Sequence, residues 1–168
     1  MSGPGDETYD VLIAGGGPAG SSLAIRLVQS GFRVLLAEQK KFPREKLCGE
    51  FISPECLAHF ADLGVLDRML ESGDARITAT VFYAPGGRAT TVPSEWFGHG
   101  ERAALGLSRA EMDSRLLERA REVGVYVREQ TTIAGLLIER KTVCGAQLVS
   151  EGNEYPVRAA LVVDAAPP

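Results

Sequence analysis

The sequence has no long apolar run, few cysteines and no uninterrupted basic block. No stretch approaches the roughly 18 apolar residues that a membrane-spanning helix needs, so no integral membrane segment is expected, although peripheral membrane contact stays open. The three cysteines are an odd number without a C-x-x-C pair, which argues against a disulfide framework and a zinc site. With an acidic N-terminus unlike a secretion signal, this favours a cytoplasmic location.

The remaining composition is that of an ordinary globular protein. The 168 residues are 45% hydrophobic and 24% charged, and the net charge is −4. Because no basic block is present, the electrostatic footprint of nucleic-acid binding is missing. The length corresponds to about one domain, and neither an internal repeat nor a low-complexity segment interrupts it.

One stretch dominates the sequence, YDVLIAGGGPAGSSLAIRLVQSGFRVLLAE at residues 9–38. The short apolar run DVLIA predicts a buried strand. A G-x-G-x-x-G turn follows, and the apolar spacing after it predicts a helix that ends near Gly31. Residues 33–37 predict a second buried strand, and Glu38 closes it. The order strand, glycine turn, helix, strand and acid is typical of dinucleotide binding.

Each part of this stretch has an expected role. Gly15 permits the tight turn, Gly17 lets the backbone approach a diphosphate, and Gly20 lets helix and strand pack closely. The helix start at Pro18 and Ala19 offers a positive dipole end to phosphates. Glu38 lies 23 residues after Gly15, near the spacing of about 20 expected for an acid that accepts ribose hydroxyls. The alternative is a glycine-rich turn without a ligand.

The middle of the chain departs from plain strand–helix alternation. The loop after Glu38 is basic, and its cations could face phosphates or solvent: Lys40, Lys41, Arg44 and Lys46. Ser53-Pro54 predicts a helix start with an end at Gly64, and residues 65–71 a further short helix. Residues 76–93 predict a β-hairpin that turns at Pro85-Gly86-Gly87. Trp96, Phe97 and His99 predict a loop.

The last third predicts one helix and a set of strands. Ser108 and Glu111 form a capping-box pattern before a helix that ends at Gly124. Arg109 sits in its first turn, where a cation is slightly unfavourable, and this weakly favours an anionic partner. Strands are predicted at 125–127, 132–139, 143–150, 154–158 and 160–164. The three from 132 to 158 would form an antiparallel meander that covers one face of the sheet.

In this order the parts resemble the N-terminal half of FAD-dependent oxidoreductases of the aromatic-hydroxylase type. The most similar branches are the geranylgeranyl reductase family and the related flavin-dependent halogenases. The resemblance rests on VLIAGGGPAGSSLA, the glutamate of LLAEQ, FPREKLCGEFISPE, LSRAEMDSRLLERA and ALVVDA, and it covers residues 9–166. It implies an α/β, Rossmann-like three-layer FAD-binding fold with a parallel sheet, a β-meander and an inserted β-hairpin from an incomplete substrate domain.

The resemblance also implies the cofactor contacts. Gly15, Gly17 and Gly20 would hold the FAD diphosphate, and Glu38 the adenosine ribose. Pro18, Ala19 and Gln39 are also assigned to cofactor binding. Arg109 would reach the diphosphate or ribityl region. Lys46, Cys48 and Gly49 would line the flavin side, and Ile133 would offer backbone contacts near adenine. No catalytic residue and no metal ligand is assigned.

Members of these families are typically about twice as long, and Pro167-Pro168 stands where a glycine and a substrate domain would follow. The expectation is therefore a truncated FAD-binding domain over 1–168, with 74–104 as an inserted segment of the substrate-side layer. The main functional hypothesis is an FAD-binding oxidoreductase, either a reductase or a monooxygenase. It would take electrons from NAD(P)H or another donor and act on a small organic or prenyl-type substrate. The alternative is a non-catalytic FAD- or nucleotide-binding fragment. The substrate and the oligomeric state stay open.

Overall fold

The structure is a computed structural model that describes residues 8–48, 50–71, 75–97 and 103–166. These residues divide into two compact units. The first unit contains residues 8–44 and 116–166, and the second contains the described residues between 45 and 115. The predicted inserted segment, 74–104, falls within the second unit, and its place in a substrate-side layer stays a prediction.

Strands and helices are numbered separately along the chain. The strands of the described residues are β1 (Thr8–Ala14), β2 (Val34–Ala37), β3 (Phe51–Ile52), β4 (Ala75–Ile77), β5 (Ala79–Tyr83), β6 (Ala89–Pro93), β7 (Ala104–Gly106), β8 (Tyr126–Arg128), β9 (Thr131–Glu139), β10 (Thr142–Ser150) and β11 (Asn153–Asp164). The helices are α1 (Pro18–Gln29), α2 (Pro54–Leu63), α3 (Leu66–Glu71) and α4 (Arg109–Glu122), with a 3₁₀ turn at Ser94–Phe97.

The first unit is built on a six-stranded sheet in the order β8-β2-β1-β11-β10-β9. Strands β8, β2, β1 and the second half of β11 run parallel, and Leu12 pairs with both Leu35 and Val162. Strands β9 and β10 and the first half of β11 run antiparallel. The predicted βαβ unit and the predicted meander are both present, so the Rossmann-like α/β fold class is confirmed.

Strand β11 joins the parallel and antiparallel halves of the sheet. Arg158 pairs with Gly145 on the antiparallel side and with Thr8 on the parallel side. The prediction of two separate strands, at 154–158 and 160–164, was wrong because the backbone runs through Ala159 without a turn. The sequence pattern of residues 153–164 is compatible both with one strand that has two different neighbours and with two short strands.

The antiparallel half folds over one face of the parallel half. The ring of Tyr155, near the start of β11, lies 5.5 Å from the guanidinium carbon of Arg128, at the end of β8. Between the halves lies a core cluster that joins Leu12 and Leu35 of the parallel strands to Ala146, Leu148 and Val157 of the meander. The predicted role of the meander, to cover one face of the sheet, is therefore confirmed.

Helix α1 packs against β1 and β2. Its buried side includes Ala24 and Ile25. The part of α4 in the first unit buries Leu116, Leu117 and Ala120. Both helices end as predicted, at glycines with positive φ: Gly31 (90°) and Gly124 (101°). Glycine is favoured there because a Cβ would crowd the left-handed backbone.

At the edge where the parallel strands begin, Arg33 lies between two tyrosines. Its guanidinium carbon is 4.7 Å from the ring centre of Tyr9 and 5.1 Å from that of Tyr126. The two rings also meet edge to face, with centres 5.4 Å apart. These contacts stabilise the edge opposite the glycine turn, because cations are attracted to aromatic faces.

The second unit contains a three-stranded sheet, in the order β3-β7-β4, and a separate β5–β6 hairpin. The hairpin turns where predicted, and Gly87 has a φ of 77°. Ile77, however, pairs with Ala104 in the three-stranded sheet, so its predicted place in the hairpin was wrong. Trp96 and Phe97, predicted in a loop, belong to the 3₁₀ turn, and His99 lies outside the described residues.

Helices α2 and α4 begin at the predicted positions, but the serines that precede them make different hydrogen bonds. Ser53 precedes α2, but its hydroxyl donates to Glu55 at 3.3 Å and makes no capping bond. Gly64 ends α2 in the left-handed conformation, as predicted. Ser108 does cap α4, since its Oγ accepts the N–H of Glu111 at 3.2 Å. Within the described part of the chain, none of the helices has the length and apolarity needed to cross a bilayer.

Gly145 provides a test of how the meander is held. A Cβ at this position would lie 2.1 Å from the carbonyl oxygen of Val157, whereas a Cβ at Gly135 in the neighbouring strand meets nothing within 4 Å. Gly145→Ala is expected to lower the free energy of unfolding by about 2 kcal/mol or more, because overpacking forces the two strands apart. Gly135→Ala is the matched control and is expected to change it little. Urea unfolding measures both, and equal effects would contradict the close approach.

Candidate nucleotide-binding site

The glycine turn lies between β1 and α1, at the carboxyl ends of the parallel strands. Gly15 has a φ of 98°, and a Cβ there would lie 3.0 Å from the amide nitrogen of Ala166. A Cβ at Gly20 would lie 1.9 Å from the carbonyl oxygen of Gly15. The turn and the close packing expected of these two glycines are present in the geometry. Ser21 supports the turn further by donating from its Oγ to the carbonyl of Gly16 at 2.9 Å.

Gly17 is different, because none of the described residues requires a glycine there. Its φ and ψ are −70° and −174°, an extended conformation that any residue adopts. Among the described residues, a Cβ would meet only Nη2 of Arg44, at 3.6 Å. The space that a side chain at Gly17 would fill is therefore open toward the start of α1. Such a cradle suits a group that must come close to the backbone, as a diphosphate does.

Among the described residues, the start of α1 has neither a side-chain cap nor an acidic residue in its first turn, although the Glu38 carboxylate binds the N–H of Gly16 just before it. Gly17 is the N-cap residue and supplies no side-chain bond, and the first turn contains no acidic residue. Pro18 occupies the first helical position, as predicted, and Ala19 is exposed. A helix start of this kind favours an anion through its N–H groups and its dipole.

Glu38 is almost fully buried, at 5% exposure, and binds the turn itself. Its Oε2 accepts the N–H of Gly16 at 2.7 Å, and its Oε1 accepts the N–H of Lys40 at 2.8 Å. Its backbone N–H donates to the carbonyl of Arg128 at 2.8 Å, and its carbonyl accepts the N–H of Thr131 at 2.9 Å. The predicted position at the end of β2 is observed, together with a supporting role that the spacing did not predict.

Arg44 is the cation of the basic loop that the structure brings to the turn. Its Nε lies 3.7 Å from Oε1 of Glu38, and its guanidinium carbon lies 4.7 Å from the ring centre of Phe42. In contrast, Gln39, Lys40 and Lys41 are exposed. The four cations of the loop were indistinguishable in the sequence, and only the fold selects Arg44.

Ile133 lies in β9, two residues after Thr131, and pairs with Leu148. It is partly buried and packs against the core cluster between the two halves of the sheet. Since Thr131 donates to the carbonyl of Glu38, this segment of β9 reaches the same edge of the sheet as the turn. The contact of its backbone with adenine stays a prediction.

The remaining predicted residues belong to the second unit. Arg109 donates from Nε and Nη2 to the two carboxylate oxygens of Asp113, both at 2.8 Å, and Asp113 is fully buried. This bidentate pairing raises the pKa of the Arg109 guanidinium above its usual range, and nearby Cys48 acts in the same direction. Lys46 is half-buried and Cys48 is exposed. Gly49 lies outside the described residues.

Asp113 was missed by the analysis of the sequence. A signal existed, because an arginine and an aspartate four residues apart on a helix face each other. The pairing explains how a cation is accommodated in the first turn of α4, where the sequence left it slightly unfavourable. The contact of Arg109 with an anionic ligand stays a prediction.

A model of the family described as the FAD binding domain matches residues 8–166. The chain belongs to this family. It is 34% identical over 160 residues to a digeranylgeranylglycerophospholipid reductase of Methanosarcina mazei, an alignment that covers 95% of this chain and 38% of the relative. The chain therefore spans little more than a third of the curated relatives' length.

Solved structures share the fold. The myxobacterial chondrochloren halogenase, a FAD-dependent halogenase, superposes with a TM-score of 0.87 and 31% identity, covering 95% of this chain and 37% of that one. A geranylgeranyl bacteriochlorophyll reductase-like protein of Thermoplasma acidophilum superposes with a TM-score of 0.81 and 27% identity, covering 95% and 39%. The predicted resemblance to both branches is confirmed.

Alanine substitutions at Gly17 and Gly20 are expected to distinguish an effect on FAD binding from an effect on folding stability. Gly17→Ala is expected to leave the unfolding midpoint nearly unchanged, because its Cβ meets no backbone, and to weaken FAD binding at least tenfold, or about 1.4 kcal/mol. Gly20→Ala is expected to lower the unfolding midpoint by several degrees, since its Cβ would overlap the Gly15 carbonyl. Thermal unfolding and flavin titration measure both. An unchanged FAD affinity in Gly17→Ala would contradict the cradle.

Proposed function

We propose that this chain binds FAD and forms the nucleotide-binding part of an oxidoreductase. The observation that carries the proposal is the open space at Gly17. No contact with another described residue accounts for a glycine there, while a helix start and the Arg44 guanidinium lie beside it. In a member of the FAD-binding domain family, the diphosphate of FAD is the group that fits this space.

The residues of the first unit are suited to the parts of the cofactor in order. Gly15, Gly17 and the helix start at Pro18 and Ala19 would meet the diphosphate, with the charge of Arg44 close by. Glu38 would accept the ribose hydroxyls. Its two oxygens hold the N–H groups of Gly16 and Lys40, but a carboxylate has about four acceptor positions, so two are left for a sugar.

The other contacts rest on the resemblance more than on geometry. Backbone groups of Ile133 would meet the adenine, and Gln39 would lie near the ribose. Lys46, Cys48 and Gly49 are proposed on the flavin side, and Arg109 near the diphosphate or the ribityl chain. When bound, FAD supplies hydride and electron transfer, while the protein supplies binding and orientation.

The reaction proposed for the whole protein is reduction or oxygenation of a small organic or prenyl-type substrate. The name of the Methanosarcina relative, a digeranylgeranylglycerophospholipid reductase, supports the prenyl-type choice. NAD(P)H is the proposed electron donor. The compartment proposed is the cytoplasm, and the free thiols of Cys48, Cys56 and Cys144 agree with a reducing environment.

The role of Glu38 in FAD binding is tested by substitution. Glu38→Ala removes a charged acceptor from both the turn and the proposed ribose site. We expect the Kd for FAD to rise between about tenfold and a hundredfold, since hydrogen bonds to charged groups contribute about 1.5–3 kcal/mol. Quenching of flavin fluorescence measures the Kd, and Glu139→Ala, on the exposed surface of β9, is the control. Equal affinity of the two variants would refute the assigned role.

A second experiment separates an oxidoreductase from a binding module without turnover. The purified chain is loaded with FAD, and NADH or NADPH is added without oxygen. Bleaching of the flavin absorbance is the result expected of the oxidoreductase. A chain that keeps its yellow colour unbleached would support the binding-module alternative. A chain that cannot be loaded with FAD would overturn the proposed function.

A further inference from the structure

We propose that Glu129 is a positioning residue for FAD binding, which holds the loop after β2 so that Arg44 lies at the glycine turn. The inference rests on the proposed function, in which Arg44 faces the diphosphate. Glu129 itself is not placed against the cofactor; it acts through the loop.

The loop needs an anchor because it has no regular structure of its own. Residues 39–44 belong to neither a helix nor a strand, and most of their side chains are exposed. Glu38 holds the near end of the loop through the N–H of Lys40. Without a second attachment, the segment that ends at Arg44 would be free to move, as exposed segments with few bonds generally are.

Glu129 supplies that second attachment, across 87 positions of sequence. Its Oε1 accepts the backbone N–H of Phe42 at 2.5 Å, and its Oε2 pairs with Nη2 of Arg121 at 2.6 Å. Arg121 belongs to α4, and Glu129 directly follows β8. The carboxylate therefore attaches the loop to two regular elements at once, and charge assistance makes both bonds stronger than neutral ones.

Phe42 links this anchored backbone to Arg44 through its ring. The Arg44 guanidinium carbon lies 4.7 Å from the centre of the Phe42 ring, a cation–π distance. On its other side, Nε of Arg44 lies 3.7 Å from Oε1 of Glu38. The guanidinium is thus held between an aromatic ring and a carboxylate, beside the open space at Gly17. A side chain held in advance loses less rotamer freedom when an anion binds, and this raises affinity.

The first test compares two glutamates that each pair with an arginine. Glu129→Ala removes the anchor, whereas Glu139→Ala removes a similar ion pair, with Arg158, at an exposed site of the meander. We expect the Kd for FAD to rise about tenfold in Glu129→Ala and to stay unchanged in Glu139→Ala. Glu129→Gln keeps an acceptor for the Phe42 N–H, and we expect it to restore most of the affinity. Equal Kd values for Glu129→Ala and Glu139→Ala would overturn the inference.

The second test asks whether Glu129 acts through Arg44. Arg44→Ala alone is expected to weaken FAD binding, and adding Glu129→Ala to it is expected to weaken binding no further. Residues that act as one unit are non-additive in such a cycle. If the two losses multiply, Glu129 acts by another route and the inference is wrong.

Trypsin cleavage without FAD tests the anchor independently of the cofactor. Lys40 and Lys41 are exposed in the loop, so the release of Phe42 in Glu129→Ala should speed cleavage there severalfold relative to Glu139→Ala. Unchanged cleavage would contradict the anchor. If the unaltered chain does not bind FAD but Glu129→Ala still speeds cleavage, the anchor stands and the proposed function fails. If Arg44→Ala weakens FAD binding while Glu129→Ala does not, the proposed function stands and this inference fails.

Discussion

The hydrogen bond from the Gly16 N–H to the Glu38 carboxylate is the interaction on which the site depends. Glu38 ends β2, yet its side chain reaches the glycine turn after β1, and its backbone joins the segments around Arg128 and Thr131. A buried carboxylate is costly unless its oxygens are satisfied. The donors that satisfy Glu38 are backbone groups of the turn and of the following loop. The residue proposed to receive a ribose therefore also holds the glycine turn in place.

A second constraint lies where β11 passes from one half of the sheet to the other. Strand β11 pairs antiparallel with β10 along its first half and parallel with β1 along its second half. Backbone hydrogen bonds therefore join the meander to the parallel half of the sheet. Gly145 allows the two strands to approach, because any larger residue would overlap the Val157 carbonyl. Ile133 packs against the cluster that contains Leu12 and Leu35.

The comparisons with known proteins agree with a nucleotide-binding part inside a longer protein. A reductase relative and a halogenase structure each align with nearly all of this chain while extending well beyond it. One nucleotide-binding fold serves different chemistries because function depends on the sites added to it. The aligned part of this chain contains the glycine turn, the acid after β2 and the meander.

The sequence by itself determined the βαβ unit, its dinucleotide-binding turn and the places where the helices end, because glycine spacing, apolar periodicity and an acid at the right distance are local signals. The choice of FAD came from the resemblance to a family. The sequence also predicted correctly that the meander covers the sheet. Only the tertiary structure decided that β11 is one strand, that Ile77 leaves the hairpin for another sheet, and that Arg44 is selected from four similar cations. The structure also showed that Arg109 pairs with Asp113 and that Glu129 accepts the backbone N–H of Phe42. The Arg109–Asp113 pair, four residues apart on one helix, did leave a local signal. The other contacts did not, for a physical reason: strand partners and loop anchors are set by residues that meet across the fold, and Glu129 and Phe42 stand 87 positions apart in the chain.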